Sequence, residues 1–161
     1  DAGASVFVSH GAHYPRGMEV YKGKPIFYDL GSTVMEFEAG NSMVSPEMYH
    51  TYHLPVDAYP SDLHSFRAKF EDGSWKGFYA ERRFSEHFIV VVDIDDETGE
   101  TKYELLPIDI DMQRDNPIKR GLPFVASDEA AEHIAEEMAR RSEPYGTEFA
   151  YNKKTGMITF Q

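Results

Sequence analysis

The sequence predicts a mixed α/β (α+β) domain with strand hairpins and one good C-terminal helix. Apolar and aromatic strand formers flank a glycine turn within residues 18–30, which is typical of a β-hairpin. A second run of strand formers starts at Phe88 and returns after an acidic turn. An amphipathic pattern over 127–141, opened by a serine and acidic residues, indicates a helix. We therefore expect a single domain over residues 1–161.

Composition limits the functions that the chain can have. Its 161 residues, of which 41% are apolar, suit one domain that buries about two-thirds of its unfolded surface. The formal net charge of -12 argues against non-specific nucleic-acid binding and against adhesion to an anionic membrane surface, and it is compatible with cation binding. The lack of cysteine excludes disulfides and thiolate zinc sites. No apolar run approaches the ~20 residues of a membrane-spanning helix.

The stretch 4–17 carries the clearest chemical signal. Residues 6–8 are a short apolar run, for which we expect a strand buried on both faces. The run leads directly into a turn-prone segment with His10 and His13, and loops at strand ends gather ligands in open α/β folds. Because imidazole is a common neutral metal ligand, this placement favours a metal site held by both histidines. The alternative is two loop histidines that are hydrogen-bonded to the backbone.

A hairpin is expected directly after the histidines, where it would brace their loop. Its strands are 18–21 and 26–30, and Pro25 should lie at the start of the second strand because proline cannot donate to the ladder. Residues 31–44 contain two glycines and no clear period, so we interpret them as a loop.

A short helix is expected next. Ser45 can cap it, Pro46 suits its first position, and the helix should end before Pro55. His50 and His53 would then share one helical face and form a second possible metal pair. The alternative is a pair of partly exposed polar histidines.

A further short helix is expected over 61–70, followed by a segment rich in aromatic residues. The apolar stripe of this helix consists of Leu63, Phe66 and Phe70. Arg82 and Arg83 lie among the aromatic residues, and two such arginines can hold a carboxylate or a phosphate. The alternative, which this pattern favours, is a solvated edge with arginine stems packed over the rings.

The segment after residue 87 is more plainly β. We expect a buried strand over 88–94, an acidic turn over 95–100 and a return strand over 101–111. Pro107 interrupts the return strand and indicates a bulge or a sheet edge.

The C-terminal region carries the strongest helix pattern of the chain. Ser127 is placed to cap a helix that ends near 140–141, and His133 within it is interpreted as a surface or packing residue. A last hairpin is expected from 147–151 and 157–160.

The stretch after the histidines also carries a family resemblance. Residues 15–31 read PRGMEVYKGKPIFYDLG. Together with the preceding strand and histidine pair, they resemble the last metal motif of the CapA-type family, the poly-gamma-glutamate capsule synthesis proteins. That motif usually reads strand, Gly-His-His-Pro-His, then Gly-x-Glu-x-Tyr-x-Gly-Lys-Pro-Ile-x-Tyr-Ser-Leu-Gly-Asn. A second match, RGLP at 120–123 and SEPYGT at 142–147, is similar to the family's C-terminal close.

The resemblance implies part of a calcineurin-like metallophosphoesterase β-sandwich flanked by helices. By resemblance, His10 and His13 are metal ligands and catalytic residues, or one binds metal while the other stabilises charge on the phosphoryl group. The metals implied are divalent Mn, Fe or Zn, two in the full-length protein, about 3.5–4 Å apart. The family's other ligands should precede His10, where none is found. The chain would then be the C-terminal portion of a larger domain, with the missing N-terminal part as its partner.

Three departures from the family pattern lie in this region. Gly11 and Ala12 replace the family's His-Pro, Ser9 replaces its Gly, and Ser32 replaces its final Asn. We expect a more flexible loop without the Asn side chain, which is compatible with a divergent substrate or a lost activity.

Three functional hypotheses follow. The first is a metal-dependent phosphoesterase-like enzyme that acts on a phosphate or acyl-phosphate linked to capsule polymer. The second is a non-catalytic accessory that binds or positions the polymer in a cell-envelope complex. The third is a metal-dependent amide hydrolase. In each, an anionic phosphate- or glutamate-containing substrate is expected near Arg16, Arg82 and Arg83, and the family resemblance implies the cell envelope or extracytoplasmic face.

Overall fold

The computed structural model describes residues 2–36 and 44–161, and it confirms a mixed α+β architecture. The helices are α1 Pro46–Thr51, α2 Pro60–Ala68 and α3 Asp128–Ser142. The strands are β1 Phe7–Val8, β2 Met18–Tyr21, β3 Lys24–Phe27, β4 Glu86–Ile94, β5 Thr101–Asp109, β6 Phe124–Val125, β7 Phe149–Asn152 and β8 Met157–Phe160. No helix in these two described ranges has the length and apolar character to cross a bilayer. The loop expected at 31–44 lies partly outside the described residues.

The first sheet has the order β1-β3-β2. β2 and β3 form the predicted hairpin, in antiparallel register from Met18 opposite Phe27 to Tyr21 opposite Lys24. The two turn residues, Lys22 and Gly23, have φ values of 51° and 75°, as the twist of a two-residue hairpin requires. β1 runs parallel to β3. The hairpin therefore anchors the segment that carries the histidines.

The expectation that residues 6–8 form a fully buried strand is wrong for this structure. Val6, Phe7 and Val8 are 40%, 53% and 41% exposed. The reason is topological, because β1 is two residues long and lies at the edge of its sheet within the described part of the chain. An apolar run predicts strand but does not show whether a layer covers its faces.

The second sheet has the order β4-β5-β8-β7, and β6 also pairs with β5. The predicted strand at 88–94 is present, but it is buried at Glu86, His87 and Phe88 and mostly exposed beyond them. The hairpin of β4 and β5 therefore extends past the core. The expected bulge or edge at Pro107 is wrong, since the register with β4 is unbroken and β5 is an inner strand. Pro107 lies between the residues that pair with β8 and with β6.

The long C-terminal helix α3 is confirmed in position and in its cap. The Ser127 side chain accepts a hydrogen bond from the Ala130 amide at 3.2 Å. The apolar face of α3 packs against strands of both sheets. The final hairpin of β7 and β8 is also confirmed. The central core contains Met18, Phe27, Phe88, Leu105, Ile134, Ala135, Met138 and Ile158.

The two middle helices form but are shorter than expected. Helix α1 ends at Thr51, so the prediction that His50 and His53 share one helical face is wrong. The chain turns at His53, whose φ is 56°, and Pro55 follows soon after. Helix α2 ends at Ala68, and the expected apolar stripe is only partly buried, because Phe66 is 49% exposed. Phe70 lies beyond the helix and is 55% exposed.

Candidate functional site

The segment 9–16, here called the histidine loop, is fixed by one buried carboxylate. Asp29 is 3% exposed. Its Oδ2 accepts a hydrogen bond from the Ala12 amide at 2.7 Å, and its Oδ1 accepts one from the Gly31 amide at 2.8 Å. The Arg16 amide also donates to the Asp29 carbonyl oxygen at 3.1 Å. Asp29 therefore positions the backbone between the two histidines.

The two histidines lie on the surface of this loop. His10 is exposed, and His13 is exposed with a φ of 63°, in the left-handed region. The Nδ1 of His13 lies 3.3 Å from the Ser32 hydroxyl, and its ring meets Phe78 edge-on at 5.5 Å between centroids. A hydrogen-bond partner at one ring nitrogen fixes the orientation of an imidazole whose other nitrogen can bind a metal. Ser32 stands where the family motif has Asn.

The described residues contain no group of three histidine, aspartate or glutamate side chains placed to hold a metal. Two loop histidines fit two positions in a coordination shell, and the chemistry of the donors suits divalent Mn, Fe or Zn. A shell of four or more ligands requires further donors. The metal assignment of His10 and His13 therefore stays a prediction.

His87, which the sequence did not mark as a functional residue, contacts this region from inside the fold. His87 is fully buried, and its Nδ1 accepts a hydrogen bond from the Ser32 amide at 3.2 Å. Burial lowers the pKa of His87, and a neutral imidazole is the form that can accept this bond. Gly31 lies against it, since a Cβ there would be 2.2 Å from His87 Nδ1. Only glycine fits between the loop and His87.

A cavity of about 860 Å³ lies at the end of the histidine loop, where Tyr14, Pro15 and Arg16 line it. We call it the arginine cleft. Its charged lining consists of Arg16, Arg82, Arg83, Arg140, Arg141, Glu81, Glu86, Glu137 and His133. The three arginines named from the sequence thus meet in one cavity. His10 and His13 are not part of its lining.

Two of the three predicted arginines are paired with carboxylates. Arg82 Nε donates to Glu86 Oε1 at 2.5 Å, and the other oxygen of Glu86 lies 2.5 Å from His133 Nδ1. Arg83 forms an exposed ion pair with Glu81 at 2.7 Å. The sequence predicts a surface or packing role for His133 and gives no sign of its carboxylate partner, which lies 47 positions away.

Arg16 and Arg83 surround one aromatic ring together with Arg141. Their guanidinium carbons lie 5.8, 4.6 and 5.6 Å from the centre of the Tyr14 ring. Arg83 also lies 4.9 Å from the centre of the Phe84 ring. The guanidinium groups of these arginines therefore lie near aromatic rings, and the same arginines line the cleft.

The end of α3 forms the far wall of the cleft. Glu137 accepts hydrogen bonds from both Arg140 and Arg141, at 2.8 and 2.7 Å for the closest oxygen. The bond from Arg140, with the charge of Arg141, lowers the pKa of Glu137 from its ordinary value of 4.5 to about 2. Arg141 in turn donates to the Pro15 carbonyl oxygen at 2.5 Å. This chain of contacts ties α3 to the histidine loop.

Replacing Glu137 with glutamine is expected to reduce the amount of unfolding free energy that the protein loses as the pH falls. Because the folded pKa lies below the ordinary value, the carboxylate stabilises the fold above pH 4.5, and this contribution is lost as the pH falls towards about 2. Urea unfolding at pH 5.5 and 2.5 measures the effect. Glu136→Gln, at an exposed position on the same helix, is the control. It should lose as much free energy of unfolding between pH 5.5 and 2.5 as the wild type does. An equal loss of unfolding free energy in all three proteins would contradict the stabilising role of the Glu137 carboxylate.

Comparisons with known proteins give matches of different extent. Residues 1–36, which contain the histidine loop and Asp29, match the family described as bacterial capsule synthesis protein PGA_cap. Two uncharacterized proteins of Sinorhizobium fredii, y4sH and y4uA, are each 31% identical over 98% of this chain and 34% of their own length. A probable polyglutamine synthesis accessory protein of Mycobacterium tuberculosis is 33% identical over 42% of this chain and 18% of its own length.

Each of these matches covers only part of the chain or part of the relative. The chain spans about a third of the length of the Sinorhizobium proteins, at 34%. The family match is confined to the first 36 residues. Taken with the mycobacterial similarity, it supports a relationship between this chain and the CapA-type capsule synthesis proteins.

Proposed function

We propose that this chain is the C-terminal part of a capsule-polymer synthesis protein with a metal-dependent phosphoesterase-like site. The observation that carries the proposal is the histidine loop itself. It lies in the segment that matches the capsule synthesis family, and Asp29 fixes its backbone through two hydrogen bonds. A loop fixed in this way presents two imidazoles with little ordering cost, as a coordination site requires.

His10 and His13 would hold the metal, as two of the ligands in the complete protein. When bound, divalent Mn, Fe or Zn supplies Lewis-acid activation of a phosphoryl group and of water. Ser32 orients the His13 ring through Nδ1. His87 and Gly31 hold the Ser32 segment against the loop from inside the fold.

The remaining ligands would come from the rest of a longer polypeptide, within a calcineurin-like metallophosphoesterase domain. Two observations support this part of the proposal. The Sinorhizobium relatives are about three times as long as this chain, since the chain covers 34% of them. The apolar strand β1 leads into the histidine loop and is exposed at Phe7 and Val8, as an edge that another layer would cover.

The substrate we propose is an anionic phosphate- or glutamate-containing group linked to the capsule polymer, handled at the cell envelope. The mycobacterial relative is named for polyglutamine synthesis and the matching family for capsule synthesis, and both names support a polymer-linked substrate. The cluster of arginines beside the histidine loop supports an anionic substrate.

A panel of substrates tests the proposal in the full-length protein. We expect metal-dependent turnover of a phosphoester or acyl-phosphate, abolished by a chelator and restored by Mn, Fe or Zn. Turnover of γ-glutamyl amide bonds, without turnover of phosphoesters, would show that the protein is an amide hydrolase and not a phosphoesterase. Stoichiometric metal without turnover of either class, or turnover that survives removal of metal, would refute the proposed reaction.

A second candidate is a non-catalytic accessory that positions the polymer. The specific observation in its favour is the arginine cleft, which can bind an anionic chain without any metal. The net charge of -12 opposes it, because the protein as a whole repels a polyanion. Polymer binding without metal and without turnover in the full-length protein would favour this candidate.

A further inference from the structure

We infer that the arginine cleft is a metal-independent binding site for an oxyanion, either a carboxylate of a γ-linked glutamyl chain or a phosphate group. Arg16 and Arg83, beside Tyr14, are the residues assigned to contact it. The inference rests on the proposed function for the glutamyl ligand, whereas the oxyanion chemistry follows from the cleft. The cleft is built from four separate parts of this chain, residues 14–17, 28, 81–86 and 133–145.

The charge of the cleft is opposite to that of the protein. Five arginines and three glutamates line it, in a chain with a formal net charge of -12. Such a local reversal attracts anions, because a concave surface concentrates the field of the charges that line it. Its volume of about 860 Å³ lies within the range of small-molecule sites and suits a short segment of an extended anionic chain.

Three of the five arginines that line the cleft lie close to one aromatic ring. Arg16, Arg83 and Arg141 all lie within 5.8 Å of the centre of the Tyr14 ring. Three like charges in this arrangement repel one another, and the ring face offsets this in part. A bound oxyanion would neutralise the cluster further and accept hydrogen bonds from more than one guanidinium group.

Arg16 is the arginine best available to a ligand. It is exposed and forms no ion pair with any residue in the described ranges, in contrast to Arg82 and Arg83. Arg83 is paired with Glu81, but both side chains are at least 41% exposed, and such a pair is weak in water. A ligand oxyanion can therefore take the place of Glu81 at small cost.

Two of the three carboxylates that line the cleft, Glu86 and Glu137, are already paired with arginine or imidazole. Glu137 lies between Arg140 and Arg141, and Glu86 lies between Arg82 and His133. These contacts reduce the repulsion that an incoming anion would meet. They also fix the wall formed by α3, since Arg141 is tied to the Pro15 carbonyl oxygen. The cleft is thus largely organised before a ligand arrives.

Calorimetric titration of the full-length protein in the presence of a chelator tests the inference. The probes are inorganic phosphate, tri-γ-L-glutamate and the neutral, fully amidated form of that peptide. We expect saturable binding of at least one anionic probe and none of the amidated peptide. Arg16→Gln and Arg83→Gln should each weaken binding by about tenfold, because each removes charged hydrogen bonds.

Arg67→Gln is the matched control. Arg67 also lies over a tyrosine ring, 5.5 Å from the centre of Tyr52, but it is outside the cleft. Its replacement should change the affinity by less than about twofold, the effect expected of a distant surface charge. Equal weakening in the control, binding of the amidated peptide, or no saturable binding of either anion would overturn the inference.

The same titration separates this site from the metal site. The His10→Ala, His13→Ala double variant should bind the anionic probes as the wild type does, because neither histidine lines the cleft. Loss of anion binding in that variant would overturn the separation of the two sites. Metal-dependent turnover in a protein that binds no anion with chelator present would refute the cleft assignment alone.

Discussion

Replacing Asp29 with alanine is expected to lower the free energy of unfolding by about 2–4 kcal/mol. The reason is that the buried carboxylate accepts from the amides of Ala12 and Gly31 at 2.7 and 2.8 Å. Its removal leaves both donors without this acceptor in a partly buried site. Urea unfolding, with the midpoint compared at equal slope, measures the change.

Asp29→Asn is the matched variant for this prediction. It keeps the volume of the side chain and one acceptor oxygen, so it should cost less than the alanine variant. We further expect both variants to lower metal affinity in the full-length protein, because the backbone between His10 and His13 is no longer held. An alanine variant as stable as the wild type would show that Asp29 does not organise the histidine loop.

Replacing Gly31 with alanine is expected to destabilise the fold by about 2–5 kcal/mol. Two costs add at this position. Gly31 has a φ of 75°, which is strained for any residue with a Cβ, and that Cβ would lie 2.2 Å from His87 Nδ1 and 2.9 Å from Pro15. Thermal and urea unfolding of the variant measure the sum.

Gly23→Ala separates the two costs. Gly23 has the same φ of 75°, but a Cβ there would meet nothing within 4 Å. Its replacement should therefore cost about 1–2 kcal/mol, which is the backbone term alone. Similar losses of stability in the two variants would mean that close packing of Gly31 against His87 contributes nothing.

The elements predicted correctly from sequence are those fixed by local chemistry. The hairpin of β2 and β3 follows from a two-residue turn that glycine favours, and α3 follows from its serine cap and apolar period. Neither requires information from distant residues. The exposure of β1 could not be predicted in the same way, because it depends on which other strands lie beside it.

The candidate site was only partly visible in the sequence. Arg16, Arg82 and Arg83 were each named, but residues 66 positions apart give no local sign that they meet. Arg140, Arg141 and the contact between Glu86 and His133 were not named as a site, because long-range pairing leaves no period in a sequence. Net charge also misleads here, since an acidic chain can hold a basic cleft.

Asp29 is a case in which a local signal existed. Its Oδ1 accepts from the amide two residues later, which is the pattern of an Asx turn. An aspartate two residues before a glycine at a strand end indicates such a turn. Its second role, holding the Ala12 amide 17 positions earlier, required the fold.

The metal content of the full-length protein shows whether His10 and His13 are metal ligands. The measurement is elemental analysis of purified wild type and of the His10→Ala, His13→Ala double variant, both shown to be folded by circular dichroism. We expect bound divalent metal in the wild type and a clear loss of it in the variant, with the fold retained. Equal metal content in the two proteins would contradict the claim that these histidines are metal ligands.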